Sequence, residues 1–419
     1  MHYGIFTYGS RGDVQPCMAL SLGLIKQGHQ VSLYAPENFK DFVESYGINF
    51  HPLYGDAYEI LCSPEGRKVL KTGSTLSLLK LMQKGAKEIQ PHVNRDTLEG
   101  CKKVDAIIAS VLCQAWVSCI AEKLHKKWGA LTFSPPTTPT KEFPFAGMAF
   151  FDNPIYNKFS HNLVRLLYWK INKKDINEFR KSLALPILTK NILDIETANN
   201  TLNLYAFSPS IIPRPKDWKS NSDITGFLTL PSKKINEQET DGIAEGLSKW
   251  LAQGKKPIYI GFGSIPIPDV ELFRNVLNEI LSVPDMRILF CKGWSEIPNL
   301  PQHPDFFTIK YADHEWLLPQ CEAAIIHGGA GTIAAVLKAK IPVIIASIFA
   351  DQPWWGKIVE QKKLGVHITF KKLTAKSLLS AIKKIQTDEY RNNAAEIGEK
   401  ISHENGVEKA LEHINKYFV

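Results

Sequence analysis

The chain has 419 residues, too long for one compact domain at the usual ~100–200 residues each. With 44% hydrophobic and 22% charged residues it has the composition of a globular protein with real cores rather than a disordered one. Its formal charge is +8, almost all of it carried before residue 216. Such an excess suits anionic lipid headgroups, with a solvated surface as the plainer reading, and no aromatic-interleaved basic module points to nucleic acid.

Seven scattered cysteines without a C-x-x-C pair argue against a disulfide framework or a zinc site and predict reduced thiols in a cytosol. No charged and apolar leader opens the chain, and no apolar run approaches the ~18 residues of a membrane span. The expectation is a cytoplasmic protein that can still touch a membrane from its inner face.

Residues 3–8 read as a short strand, followed by the turn Gly9-Ser10-Arg11-Gly12-Asp13 and a helix over 15–27 that Gly28 stops. Strands at 31–35, 48–53, 106–110 and 130–134 alternate with helical patterns, which predicts a parallel sheet covered on both faces. Residues 65–93 are basic and partly amphipathic, with Arg67, Lys68, Lys71, Lys80, Lys84 and Lys87 among leucines. This is a candidate for peripheral membrane contact; a helix laid over a hydrophobic pocket is the plainer reading. Phe143, Phe145, Phe150, Phe151 and Tyr156 follow a proline-rich stretch and suggest an acceptor pocket, or core packing.

Between 225 and 254 the pattern loosens into a polar interdomain linker. The α/β rhythm then restarts with a strand over 257–262 that runs into Gly263-Ser264, and further strands at 287–291, 307–310, 323–326 and 341–346. The expected domains are 1–220, 221–400, and a C-terminal helix over 401–419 that can pack back on the first.

Two turns carry the chemistry. Ile325-Ile326-His327-Gly328-Gly329-Ala330-Gly331-Thr332 is a buried strand, a glycine turn and a helix start, which aims backbone N–H groups and the positive helix end at an anion such as a diphosphate. His327 offers another hydrogen bond and, if protonated, a charge; a packing turn with a satisfied histidine is the alternative. Nineteen residues past Thr332, Asp351-Gln352 follows a strand end and suits the hydroxyls of a sugar, or caps a helix. In the first half, Asp13 lies where ligand crevices form and is either a general base or a helix cap beside Pro16.

From Tyr311 to Val366 the chain resembles the donor signature of family-1 glycosyltransferases. The branch it resembles holds the sterol glucosyltransferases and the bacterial antibiotic and flavonoid enzymes, and Gly9 to Pro16 resembles the same branch. The resemblance implies a GT-B fold, α/β with two Rossmann-like parallel-sheet domains facing across a cleft. The N-terminal domain would take the acceptor and the C-terminal domain the donor.

The resemblance also implies an inverting, metal-independent hexosyl transfer. The donor would be a nucleotide sugar, UDP favoured over dTDP, and the acceptor a hydroxyl of a lipophilic small molecule; no other cofactor is implied. Asp13 would be the catalytic base. His327, Gly329, Ala330, Gly331, Thr332 and Ser264 would hold the diphosphate, with Ser10 and Arg11 reaching it, and Asp351 and Gln352 the sugar hydroxyls. Ala312 and His314 lie in the stretch where relatives read the base.

This sequence departs from the pattern at Ile326, where relatives often carry histidine, at Asp313 for proline, and at Ala335 for a ribose-binding glutamate, so base and ribose recognition stay open. The absence of a D-x-D sequence agrees with metal-free chemistry. A GT-B epimerase or a non-catalytic sugar-nucleotide or lipid-binding protein are the competing readings. A dinucleotide oxidoreductase is disfavoured because no G-x-G-x-x-G follows the first strand.

Overall fold

A computed structural model describes all residues except 73, 74, 147, 149, 150, 232–242 and 312. Ala312, Phe150 and most of the expected linker therefore lie outside the described residues. The chain folds into two compact units: Met1–Ala57, Lys84–Leu230 and Glu404–Val419 form one, Tyr58–Gln83 and Pro231–His403 the other. The chain thus passes between units four times, which a reading in contiguous blocks does not reach.

The first unit is built on seven parallel strands: β1 His2–Phe6, β2 Gln30–Pro36, β3 Asn49–Leu53, β4 Ala106–Ser110, β5 Trp128–Thr132, β6 Leu202–Tyr205 and β7 Ser222–Ile224. Their order is β3-β2-β1-β4-β5-β6-β7. The central strands are mostly apolar, and Ala106–Ser110 and Trp128–Thr132 are buried at every position, as expected where helices cover both faces.

The helix Arg11–Lys26 begins four residues before the expected one because Ser10 caps it. The helix Gly406–Phe418 packs on it: Ala410, Leu411, Ile414 and Phe418 join the cluster that holds Val14, Met18 and Leu24. Gly23 allows the approach, since a Cβ there would lie 2.6 Å from Val407 Cγ1 and 3.0 Å from Leu411 Cδ1. The Ser208 hydroxyl donates to Glu404 Oε1 at 2.7 Å, and His413 Nε2 lies 2.7 Å from Asp223 Oδ2.

The second unit has six parallel strands: β8 Ile258–Gly261, β9 Ile288–Cys291, β10 Phe306–Ile309, β11 Ala323–Ile326, β12 Val343–Ser347 and β13 Gly365–Thr369, in the order β10-β9-β8-β11-β12-β13. The helix Pro64–Thr72 belongs to this unit. Leu70 is buried in the cluster around Phe262, Phe273 and Ile288, and Lys71 Nζ sits 2.9 Å from Asp269 Oδ2. Leu70, Leu81 and Val93 of the basic 65–93 stretch are buried.

Replacing Gly23 by valine puts branched carbon where Val407 and Leu411 already stand. It should destabilise the first unit by about 1–3 kcal/mol, as overpacking does. Thermal melting against the unchanged chain checks this, and an equal melting temperature would show that the two helices can part without cost.

Candidate functional site

In the first unit the strand order reverses at β1, which has β2 on one side and β4 on the other. Loops leaving the carboxyl ends of such a pair diverge and open a crevice. The loop after β1 carries Asp13. Ser10, extended at φ −95° and ψ 179°, caps the helix and accepts from Gly12 N–H at 3.2 Å. Asp13, the third helical residue, closes a capping box: its Oδ2 accepts from Ser10 N–H at 2.8 Å and from the Ser10 hydroxyl at 3.2 Å.

The cap itself is Ser10, and Asp13 braces the helix start from the third helical position through Oδ2. Thr7 Oγ1 donates to the Asp13 carbonyl at 3.1 Å. Gly9 has φ +129°, and a Cβ on it would fall 2.4 Å from Asp13 Oδ2, so only glycine leaves room for the carboxylate. Burial pushes the Asp13 carboxyl up to about 6, against the lowering effect of the Ser10 bonds. Arg11 is bound to its own surroundings: Nε donates to Gln15 Oε1 at 3.2 Å and the guanidinium lies 4.4 Å over the Phe42 ring.

In the second unit the order reverses at β8, between β9 and β11. The turns after β8 and β11 are neighbours: a Cβ on Gly263 (φ +58°) would come within 3.5 Å of His327 Cε1. Ser264 follows in the same turn. After β11, Gly328 adopts φ +101°, where a Cβ would strike Ile345 at 2.8 Å and approach Gln352 Cβ to 3.3 Å. The glycine turn and the Asp351-Gln352 pair are therefore in contact.

The helix Ala330–Lys338 starts from Gly329 with no side-chain cap, and a Cβ on Gly331 would meet nothing within 4 Å. Its first N–H groups, those of Ala330, Gly331 and Thr332, are the ones an anion can take. His327 is buried, and its Nδ1 has no hydrogen-bond partner. Burial first, and the neighbouring His314 second, depress its pKa to about 4. The imidazole is therefore neutral near pH 7: it can still donate one hydrogen bond, but the charge allowed from the sequence is corrected to none.

Asp351 Oδ2 accepts from the Trp355 indole N–H at 3.2 Å. Gln352 is buried with Oε1 accepting from Ile348 N–H at 2.7 Å and Phe349 N–H at 3.2 Å, which leaves its amide N–H groups for a ligand. His314 accepts from or donates to Tyr259 Oη at 3.0 Å through Nε2. Asp313 caps the short helix His314–Leu317 through Glu315 N–H at 3.0 Å, a task proline could not perform with its side chain. Tyr311 and Trp316 stand exposed on either side.

Of the aromatic cluster, Phe143 and Phe145 pack on buried His161, whose Nε2 meets the Phe143 carbonyl at 3.1 Å, while Phe151 is exposed. Residues the sequence reading did not single out are Thr7 and Tyr259. Gly9, quoted within a motif, had no stated role. Among the described residues no group of three or more His, Cys, Asp or Glu side chains could hold a metal ion. None of the described helices is long and apolar enough to cross a membrane.

Two parallel-sheet Rossmann-like units, each with a glycine-bearing turn by its order reversal, define the GT-B class. Solved structures agree in fold. The glycotransferase of kitacinnamycin superposes with a TM-score of 0.71 at 15% identity, covering 99% of this chain and 98% of that one. The Streptomyces sp. SF2575 glycosyltransferase SsfS6, complexed with thymidine diphosphate, gives 0.61 at 16%, covering 99% of both.

Residues 3–144 match the glycosyltransferase family 28 N-terminal domain, and 276–410 the erythromycin biosynthesis protein CIII-like C-terminal domain. Sterol 3-beta-glucosyltransferases are similar over nearly the whole chain. UGT80B1 of Arabidopsis thaliana is 32% identical, covering 99% of this chain and 67% of the relative. For UGT80A2 of the same plant the figures are 33%, 98% and 64%, and for the Saccharomyces cerevisiae enzyme 32%, 98% and 35%. The chain thus spans between about a third and two thirds of these relatives' own length. It belongs to the family-1-like GT-B glycosyltransferases.

Ser10→Ala removes the cap and the side-chain bond, one of the hydrogen bonds that lower the Asp13 pKa. The helix start should lose about 0.5–2 kcal/mol, and the Asp13 titration should move further above 6. Carboxyl NMR titration together with melting reads both effects; an unmoved titration would mean that the hydroxyl bond does not govern Asp13.

Proposed function

We propose that this chain is an inverting, metal-independent glycosyltransferase that moves a hexose from a nucleotide sugar to the hydroxyl of a lipophilic acceptor of the sterol type. The observation that carries the donor side is the uncapped helix start beside buried His327, whose Nδ1 lacks a partner. A diphosphate supplies what both need, oxygen acceptors for the free N–H groups of Ala330, Gly331 and Thr332 and for the imidazole. Ser264 lies in the adjoining turn and adds a hydroxyl to the same anion. Ser10, which holds Asp13, and Arg11 are assigned to the same anion. Asp351 accepts from sugar hydroxyls and Gln352 donates to them. Ala312 and His314 are assigned to the nucleoside end.

On the acceptor side, Asp13 takes the hydroxyl proton as the acceptor oxygen bonds to the anomeric carbon. The bond from that carbon to the diphosphate breaks, and the nucleoside diphosphate leaves with the bonding pair. Its charge is met by preformed dipoles, which need no reorganisation as the charge develops. The sterol-type acceptor rests on the similarity to sterol 3-beta-glucosyltransferases. The family resemblance favours UDP as the nucleotide, and thymidine diphosphate, bound by the Streptomyces neighbour, is the competing one.

The test is turnover of UDP-glucose and dTDP-glucose with a sterol in detergent and with chelator present. Steroid glucoside should form, and Asp13→Asn should lower kcat by ~10²-fold or more. Because the base must be ionised, kcat/KM should rise with pH through about 6, the Asp13 value, and His327, neutral above about 4, should add no step there. Full activity in Asp13→Asn would remove the base assignment, and nucleotide binding without any transfer would make the chain a binding protein.

A further inference from the structure

The helix Pro154–Ser182 is anchored by one face only. Asn157, His161, Trp169, Ile176 and Arg180 are buried, with Arg180 paired to Glu122 at 2.7 and 2.8 Å and Arg165 to Asp194 at 2.8 Å. The opposite side exposes a run of large apolar side chains. Ile155, Phe159, Leu166, Leu167 and Ile171 are between 47% and 85% exposed, and Phe151, just before the helix, is 66% exposed.

Ile155, Phe159 and Leu166 fall at i, i+4 and i+11, on one helical face, and Leu167 and Ile171 lie one step round it. From Ile155 to Leu166 that face runs about 16 Å at 1.5 Å per residue, and Leu167 and Ile171 widen the apolar surface beside it. Exposed lysines border it: Lys158 near its start, then Lys170, Lys173, Lys174 and Lys181, against Asp175 and Glu178. Two shallow recesses of about 380 Å³ mark the borders, one between Lys141, Lys158 and Phe159, the other among Lys170, Lys173, Lys174 and Lys181.

We propose that this face seats the chain on an anionic lipid surface, with the apolar stripe in the acyl boundary and the lysines on the headgroup phosphates. A folded chain gains nothing from leaving such a stripe in water, and lysines have the length to carry their charge up to the headgroups while their stems stay apolar. The charge decides between occupants. A second copy would bring the same lysine cluster against itself, whereas acidic lipid complements it. In the basic 65–93 stretch Leu70, Leu81 and Val93 are buried, and they contribute nothing to such a surface. The surface stands on these observations and does not require the transferase reading.

Vesicle flotation tests it. The 419-residue chain should float with vesicles of phosphatidylcholine and phosphatidylglycerol, not with phosphatidylcholine alone, and should release as salt rises. Replacing Ile155, Phe159 and Leu166 together by serine should weaken binding about tenfold or more, and so should Lys170→Glu, Lys173→Glu and Lys174→Glu together. Both variants should keep native melting and native transfer to detergent-solubilised acceptor. A chain that stays with the soluble fraction overturns the proposal, as does undiminished flotation of both variants. So does a sedimenting dimer that the serine variant splits while lipid is ignored. Flotation without any transfer would sink the enzymatic reading and leave the surface standing.

Discussion

At Gly328 the chain leaves β11 with φ +101°, in a place where Ile345 and Gln352 leave no room for a side chain. The donor half of the proposed site depends on that contact. A side chain there would have to push the β12 side of the sheet away, and with it Gln352, whose Oε1 holds the backbone of Ile348 and Phe349. Those residues lead into Ala350, a non-glycine at φ +56°, and then into Asp351. One close approach therefore sets the position of the helix start and of the carboxylate together, as a preorganised anion and hydroxyl site needs.

The first unit solves a related problem differently. There the glycine at positive φ, Gly9, makes room for a carboxylate rather than for a neighbouring strand. Asp13 is held by Ser10 through the hydrogen bonds that also begin the helix. Local stability and the proposed chemistry share the same atoms, so a change at Ser10 or Gly9 acts on both.

Much of this was legible in the sequence. The alternation of apolar runs and helical patterns pointed to the two parallel sheets, and the glycine turn after a buried strand pointed to the uncapped helix start on which the proposed anion site rests, because backbone geometry at such a turn follows from residue type. What the sequence did not disclose depends on contacts made far along the chain. The assignment of residues 58–83 to the second unit rests on Leu70 entering a core built after residue 258. The capping role of Ser10 was hidden because Asp13 is itself a favoured cap and Pro16 suggested a later start; the structure places Pro16 inside the helix instead. The charge state of His327 turns on its burial, which no local pattern expresses. The apolar surface on Pro154–Ser182 is of the same kind, because which face of that helix is buried depends on partners such as Glu122 and Asp194 elsewhere in the chain.

Burial acts with opposite sign on the two titratable groups. Asp13 rises from 3.8 to about 6, because its charged form is the deprotonated one, and His327 falls from 6.5 to about 4, because its charged form is the protonated one. For His327 the unfolded chain binds the proton that the folded one refuses. Its contribution to the second unit is complete above 6.5 and fades as pH falls towards 4. For Asp13 the folded chain holds the proton longer, so its contribution to the first unit is complete below 3.8 and fades as pH rises through 6. The window between about 4 and 6 therefore works in opposite directions on the two units. Mild acid loosens the unit that carries the glycine turn while it firms the one that carries Asp13. Above pH 6 the first unit gives up that margin, and only there is Asp13 ionised while His327 remains neutral, the state the proposed transfer requires.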